Sequence, residues 1–241
     1  MTRLSVNINK VALIRNARGS NFPNLITFAS DCEDYGAQGI TVHPRPDQRH
    51  IRYDDLQPLK EIVTTEFNIE GNPIPKFMEY VLSVRPHQVT LVPDAPDALT
   101  SDNGWNPREN MQFLRDRIST FHEAGIRTSI FIDPDPDRIR AAADTGTDRI
   151  ELYTGPYAEA VQKNSYSSIL KKYAEAAQLA NELGMEVNAG HDLNLKNLKV
   201  FYQALHPYLA EVSIGQALVV DALYYGIENA IKMYLIQLSE H

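Results

Sequence analysis

Short apolar runs alternate with longer amphipathic segments along this chain, and the alternation predicts strands separated by helices. We predict eight strands, at Leu4–Ile8, Gly39–His43, Glu66–Glu70, Gln88–Val92, Arg127–Ile132, Arg149–Tyr153, Glu186–Ala189 and Glu211–Ile214. We predict eight helices, at Leu25–Ala37, Tyr53–Val63, Pro73–Val84, Arg108–Ala124, Asp135–Asp144, Ser167–Leu183, Asn197–Leu205 and Ala217–Leu238. This is the element count of an α/β protein with a single (β/α)8 TIM barrel, which we expect to fill residues 1–241 as one catalytic domain.

Two other sheet architectures give a similar order of elements. An open doubly wound sheet more often carries a glycine-rich first turn, whereas the first turn here reads Asn7-Ile8-Asn9-Lys10. A solvated antiparallel sheet also shows alternating polar and apolar positions, but its strands need no helical crossovers. The helical segments between the strands favour the parallel barrel over both alternatives.

Polar and apolar side chains alternate within the strands, which is unusual because barrel strands are buried on both faces. The apolar set should face the helices and the polar set the lumen. The polar set comprises Asn7, Asn9, Thr41, His43, Asn68, Glu70, Glu151, Asn188 and Ser213. Burying Glu or His without partners costs several kcal/mol. A ring of such residues therefore indicates a substrate cavity at the C-terminal mouth of the barrel, where active sites of this fold lie.

The loop after the second strand carries the strongest chemical signal, with His43 at the strand end and Arg45, Arg49 and His50 beyond it. Guanidinium groups bind phosphate in bidentate fashion, and a histidine exchanges protons near neutral pH. A solvated basic loop with a structural histidine is the alternative interpretation.

Two other regions suit an anionic ligand. Arginine, glycine and a hydroxyl occur together in the first loop, Arg15–Ser20, although a plain surface loop has the same composition. The segment from Ser213 to Gln216 closes the last strand and opens a helix, whose first backbone amides bind phosphate well.

Charge and composition narrow the classes of function. The 241 residues include 23 Lys and Arg against 31 Asp and Glu, a net charge of -8, which disfavours a general nucleic-acid binder. The single cysteine, Cys32, excludes an intrachain disulfide and lies beside Asp31 and Glu33, so we expect a buried structural thiol in a reducing compartment.

No apolar run approaches the roughly 18 residues that span a bilayer, and the first residues lack the apolar stretch of a signal peptide. We therefore predict a cytoplasmic protein with neither nucleic-acid nor membrane partners, and the histidine spacings indicate no metal site.

Read together, these segments resemble the pyridoxine 5'-phosphate synthase family, PdxJ. The matching stretches run from the first strand to the last: Val6-Asn7-Ile8, Arg15-Asn16-Ala17-Arg18-Gly19, Gly39-Ile40-Thr41-Val42-His43, Arg49-His50-Ile51, Leu91-Val92-Pro93, Phe131-Ile132-Asp133, Ile150-Glu151, Thr154-Gly155, Val187-Asn188-Ala189-Gly190-His191 and Ile214-Gly215. The resemblance implies a transferase of vitamin B6 biosynthesis that condenses 3-amino-2-oxopropyl phosphate with 1-deoxy-D-xylulose 5-phosphate. It also implies a homo-octamer that needs no metal or organic cofactor.

The resemblance further implies roles for individual residues. His43 and Glu70 match the proton acceptors of the family, His191 the proton donor, and Glu151 the carboxylate that stabilises the transition state. The residues that match contacts to the deoxyxylulose phosphate are Arg45, His50 and Thr100, and those that match contacts to the aminoketone phosphate are Asn7, Arg18 and Gly215.

Four positions depart from the family pattern. Asn9 and Lys10 stand where the family usually has Asp and His, Asp192 replaces a Gly, and Gln216 replaces a His. We keep Asn9, Lys10, Asp192 and Gln216 as predicted substrate-binding residues, since none of the changes removes a proposed proton carrier.

Two other functions remain open on the residues alone. A Schiff-base aldolase of phosphorylated sugars needs a lysine near a strand end, and Lys10 is the candidate. A non-catalytic barrel that binds phosphorylated metabolites would need only the arginines, so that the paired histidines and glutamates would have no role.

Overall fold

The computed structural model describes residues 1–95 and 101–240 of the chain. Its strands form a closed barrel in sequence order, β1 to β8, and every neighbouring pair is parallel. The strands are β1 Arg3–Asn7, β2 Gly39–Val42, β3 Glu66–Gly71, β4 Gln88–Leu91, β5 Arg127–Ile132, β6 Arg149–Tyr153, β7 Glu186–Gly190 and β8 Leu209–Ile214. The prediction of a single (β/α)8 barrel is confirmed, and both alternative sheets are excluded.

The helices surround the barrel as the crossovers between parallel strands. They are α1 Asn9–Asn16, α2 Leu25–Asp34, α3 Leu56–Ile62, α4 Pro75–Val84, α5 Met111–Glu123, α6 Pro136–Asp144, α7 Gly155–Gln162, α8 Ser167–Glu182, α9 Leu198–Leu205, α10 Gln216–Tyr225 and α11 Ile227–Gln237. A 3₁₀ turn at Tyr53–Asp55 leads into α3.

Three features of the helices differ from the sequence prediction. Helix α1 was missed because it leaves Leu13 and Ile14 exposed, so its apolar residues do not form one stripe. Helix α7 was missed because its first residues, Gly155 and Pro156, are typical of turns, although proline also suits the first turn of a helix. The predicted final helix is two helices, since Gly226 between them adopts φ 79° and ψ 151°.

The inward and outward faces of the strands follow the predicted parity. Outward residues such as Ile40, Phe67 and Ile69 are fully buried against the helices. Several inward polar residues are hydrogen-bonded across neighbouring strands, whereas the buried side-chain amide of Asn188 has no hydrogen-bond partner within the described residues. Ser5 Oγ lies 2.7 Å from Thr41 Oγ1, and Thr90 Oγ1 donates to Asn68 Oδ1 at 3.1 Å. The barrel interior is therefore a hydrogen-bonded polar core that leads up to the mouth.

A charged network closes the N-terminal end of the barrel. Arg149 is 2% exposed and donates through Nε to Glu186 at 2.6 Å and through Nη1 to Glu66 at 3.2 Å. Glu66 also pairs with Arg3 at 2.9 Å and with Arg127. The third carboxyl of this end, on Glu211, lies 4.0 Å from Arg149 Nη1.

Glu211 should make stability depend on pH. Burial, reinforced by the neighbouring Glu66 charge, raises the pKa of Glu211 from 4.5 to about 8. Between these two values the folded state binds more protons than the unfolded state, so the free energy of unfolding falls as pH rises through that window. We expect the Tm of Glu211→Gln to fall less than that of the wild type between about pH 5 and about pH 8. Exposed Glu79 supplies the control Glu79→Gln, and equal pH slopes in all three proteins would contradict the assignment.

Candidate active site

A cavity of about 680 Å³ opens at the C-terminal mouth of the barrel. It is lined by the following residues predicted from the sequence: Asn7, Asn9, Lys10, His43, Arg45, His50, Glu70, Glu151, His191, Asp192, Gly215 and Gln216. Strand parity explains the convergence, because the C-terminal ends of all strands meet at one rim. The four predicted catalytic residues therefore share one cavity: His43, Glu70, Glu151 and His191.

Two predicted binding residues are not among the cavity-lining residues. Arg18 follows α1 and is exposed, and its role stays a prediction. Thr100 lies outside the described residues, so its predicted contact is untested.

His43 and Glu70 form the centre of the cavity. His43 is 5% exposed, its Nδ1 lies 3.9 Å from Glu70 Oε2, and its backbone N–H donates to Asn9 Oδ1 at 2.9 Å. Burial, together with the charges of Arg45 and His50, holds the pKa of His43 well below its usual value. The ring is therefore neutral at pH 7 and can accept a proton.

Burial raises the pKa of both carboxyls in the cavity. The pKa of Glu70 rises well above its usual value, first through burial and then through the charges of Glu151 and Asp94. Burial raises the pKa of Glu151 to about 7, against a hydrogen bond from Thr90. The two carboxyls titrate as an interacting pair. At neutral pH the pair therefore holds exchangeable protons, as acid–base catalysis requires.

Glu151 needs a glycine beside it. A Cβ on Gly190 of the neighbouring strand would collide with Glu151 Oε1. The absence of a side chain at Gly190 therefore lets the Glu151 carboxyl approach the backbone of β7.

His191 lies in a turn with unusual backbone geometry. His191 and Asp192 both have positive φ, 79° and 58°, which costs non-glycine residues about 1–3 kcal/mol each. Thr154 Oγ1 holds this turn by donating to the carbonyl of Gly190 at 2.6 Å and to that of His191, and Asn197 Nδ2 donates to the carbonyl of Asp192 at 3.0 Å. The imidazole packs against the rings of Phe131 and Tyr153, which also contact each other.

The pKa of His191 reflects opposing influences. Burial, together with the charge of Arg45, lowers the pKa of His191 below its usual value, although the nearby Asp192 and Asp94 charges oppose this shift. An anionic ligand in the cavity would raise the pKa again, so that ligand binding itself favours the protonated donor.

Cationic groups surround the same cavity. Lys10, Arg45 and Arg49 line it, together with the imidazole of His50. Arg45 is 4% exposed and pairs with Asp94 at 2.8 Å, while Ser101 Oγ donates to the same carboxylate. The amino end of α10 opens onto the cavity at Gly215 and Gln216, which adds the positive end of a helix dipole.

Several site residues were not identified from the sequence. Glu159 and Gln162 line the cavity from α7, which the prediction missed. Asp94, the partner of Arg45, lies three residues beyond the end of β4, and its position near a strand end could have identified it.

Cys32 is fully buried in α2, and burial next to Asp31 and Glu33 raises the pKa of its thiol to about 12. The prediction of a structural thiol is confirmed.

Within residues 1–95 and 101–240, no cluster of His, Cys, Asp and Glu has the composition and size of a metal site. In the same part of the chain, every helix is too short or too polar to cross a bilayer.

Comparison with known proteins agrees with this geometry. The family described as pyridoxal phosphate biosynthesis protein PdxJ matches residues 4–240. A pyridoxine 5'-phosphate synthase of Parabacteroides distasonis is 59% identical over 234 residues, covering 97% of this chain and 98% of the relative. One from Porphyromonas gingivalis is 57% identical over 239 residues, covering 99% of this chain and 100% of the relative.

Solved structures share the fold alone. A 3-keto-L-gulonate-6-phosphate decarboxylase of Vibrio cholerae superposes with a TM-score of 0.66 at 10% identity, covering 98% of this chain and 97% of the other. A mutant tryptophan synthase alpha-subunit of Pyrococcus furiosus superposes with a TM-score of 0.63 at 12% identity, covering 97% of each chain. At such identities the likeness carries no statement about chemistry.

Proposed function

This chain belongs to the PdxJ family of pyridoxal phosphate biosynthesis proteins, and from that membership we propose that it condenses 3-amino-2-oxopropyl phosphate with 1-deoxy-D-xylulose 5-phosphate. The products are pyridoxine 5'-phosphate, phosphate and water. The protein is thus an enzyme of vitamin B6 biosynthesis. The observation that carries the proposal is the convergence of His43, Glu70, Glu151 and His191 in one cavity with cationic groups at its edge.

The proposed reaction needs proton transfers at every stage. Imine formation removes a proton from the attacking amine and gives one to the departing hydroxyl, and the later dehydration and ring closure repeat the exchange. Neutral His43 serves as an acceptor, and Glu70 beside it receives and returns protons within the coupled pair of carboxyls. Glu151 stabilises positive charge that develops on nitrogen, and His191 protonates the leaving oxygen.

The phosphates of both substrates require fixed anchors while intermediates persist. Arg45 and His50 would hold the deoxyxylulose phosphate, and Asn7, Gly215 and Arg18 the aminoketone phosphate. Lys10, Asn9, Asp192 and Gln216 complete the lining. The bound phosphates also raise the pKa of the buried histidines, which couples substrate binding to protonation of His191.

The decisive experiment mixes both substrates with the purified enzyme and follows pyridoxine 5'-phosphate by absorbance. Product should form only when both substrates are present, and addition of EDTA should leave the rate unchanged, because we propose no metal or organic cofactor. A folded protein that forms no product from the two substrates would refute the proposed activity.

We further propose that residues 1–241 form one catalytic domain, that eight copies assemble, and that the enzyme works in the cytoplasm. Exposed apolar side chains on α10 and α11, namely Leu223, Tyr224, Tyr225 and Ile236, support contacts between copies. The reduced, buried Cys32 supports the location. Light scattering on the purified protein measures the assembly directly.

A further inference from the structure

The last turn of α1 contacts the loop that carries His50. Asn16 Nδ2 donates to the carbonyl of Arg49 at 3.0 Å and to that of His50 at 2.7 Å. Arg15 Nη2 donates to the same His50 carbonyl at 3.2 Å. The carbonyl of His50 thus accepts from two side chains of one helix, which fixes the peptide at this point of the loop.

Arg15 is itself held rigidly. Its guanidinium is 2% exposed and binds the Asp55 carboxylate through Nη1 at 2.6 Å and Nη2 at 2.9 Å. Its Nε donates to Asn16 Oδ1 at 3.1 Å, which turns the amide nitrogen of Asn16 towards the loop. Asp55 Oδ2 also accepts from the backbone N–H of Arg52 at 2.8 Å. The guanidinium of Arg15 is therefore engaged inside the protein, and the anion contact that its loop suggested is not its role.

The ring of His50 is fixed as well. Its Nδ1 accepts a hydrogen bond from the backbone N–H of Ile51 at 2.9 Å, so in the neutral ring the proton resides on Nε2. Burial and the charges of Arg45 and Arg49 lower the pKa of His50 to about 4, so the ring is neutral at pH 7. His50 lines the cavity and has one ring N–H available as a donor.

We propose that Arg15, Asn16 and Asp55 are positioning residues that aim the Nε2–H of His50 at the deoxyxylulose phosphate. This inference rests on the proposed function, in which His50 contacts that substrate. The three residues act through the backbone of the loop and do not touch the ligand. Their effect should therefore appear in the binding of one substrate and not in the chemical step.

The isosteric variant Asn16→Asp tests the proposal. It removes both amide donors and places a carboxylate against two carbonyl oxygens. We expect the KM for 1-deoxy-D-xylulose 5-phosphate to rise about 10-fold, with kcat and the KM for the aminoketone phosphate within about 2-fold of the wild type. The matched control is Asn24→Asp, since Asn24 only accepts hydrogen bonds at the start of α2 and aspartate accepts them equally.

Two further arms keep the test decisive. Arg15→Lys keeps a positive charge beside Asp55 but loses the guanidinium nitrogen that donates to the carbonyl of His50. This variant should reproduce the selective rise in the KM for 1-deoxy-D-xylulose 5-phosphate. In a His50→Ala background the effect of either change should disappear, because no ring remains to be aimed. Equal rises in both KM values, or a rise that persists without His50, would overturn the proposal. Wild-type turnover in the same assay separates this outcome from failure of the proposed function.

Discussion

Replacing Glu70 by Gln is expected to lower kcat by about 10²–10⁴-fold, the usual contribution of a positioned acid–base group. The amide has the size of the carboxyl and still accepts the 3.5 Å hydrogen bond from Asn7, but it cannot carry a proton. His43, 3.9 Å away, then loses the group with which it exchanges protons. Substrate binding should persist, because the cationic residues of the cavity are unchanged.

Steady-state kinetics and direct binding measurements check this expectation. Inorganic phosphate and each substrate separately should bind Glu70→Gln within about 3-fold of the wild-type Kd, which corresponds to well under 1 kcal/mol. The matched control is Glu159→Gln, since Glu159 also lines the cavity but is exposed and pairs with Lys163. A kcat for Glu70→Gln close to that of the control would remove Glu70 from the mechanism and leave a protein that only binds phosphorylated ligands.

The centre of the candidate site could be predicted because parity within a strand is a local property. His43 and Glu70 each follow an outward apolar residue by one position, so the sequence alone directs them to the lumen. Closure of the barrel then brings different strand ends to one rim, whatever their separation along the chain. Glu151, far from Glu70 in sequence, reaches the same cavity for this reason.

The contacts that hold the loops around His43 and Glu70 could not be predicted in the same way. The pair between Arg15 and Asp55 joins a helix to the entry of α3, and no periodicity encodes which surface arginine turns inward. The hydrogen bond from Thr154 to the strained turn at His191 depends on the register of β6 against β7. Both contacts follow from the packing of elements and not from the pattern within one element.

The alternation of polar and apolar residues within the strands does not explain the N-terminal end of the barrel. The alternation assigns polar residues to the lumen, but it does not distinguish a functional site from a structural network of charges. The structure separates the two by their partners. At the mouth, His43 and Glu70 are 3.9 Å apart beside an open cavity, whereas Arg149 at the opposite end binds several carboxyl groups directly. The charges at the closed end therefore bind one another inside the protein, whereas His43 and Glu70 border a space that substrates can enter.

Replacing Arg149 by Met should therefore cost stability and not catalysis. The change removes one buried cation from the closed end of the barrel. Glu66 keeps its pairs with Arg3 and Arg127, whereas Glu211, which is 1% exposed, loses the cation 4.0 Å away. Removing one partner of a buried charge network typically lowers the free energy of unfolding by about 3–5 kcal/mol. The remaining carboxyls should also take up protons, so the loss should be smaller at about pH 5 than at about pH 8.

Urea unfolding at a fixed protein concentration measures this loss, since assembly of copies also contributes to apparent stability. The matched control is Arg138→Met, because the pair of Arg138 with Asp133 is about one-third exposed and such pairs contribute about 0–1 kcal/mol. Below the unfolding transition kcat should remain within about 2-fold of the wild type, since the network lies at the other end of the barrel from the cavity. A loss in Arg149→Met no larger than in Arg138→Met would show that the closed end of the barrel does not depend on this cation. Well-packed apolar residues could then replace the charged network at this end without lowering the free energy of unfolding, as is found for some buried ion pairs.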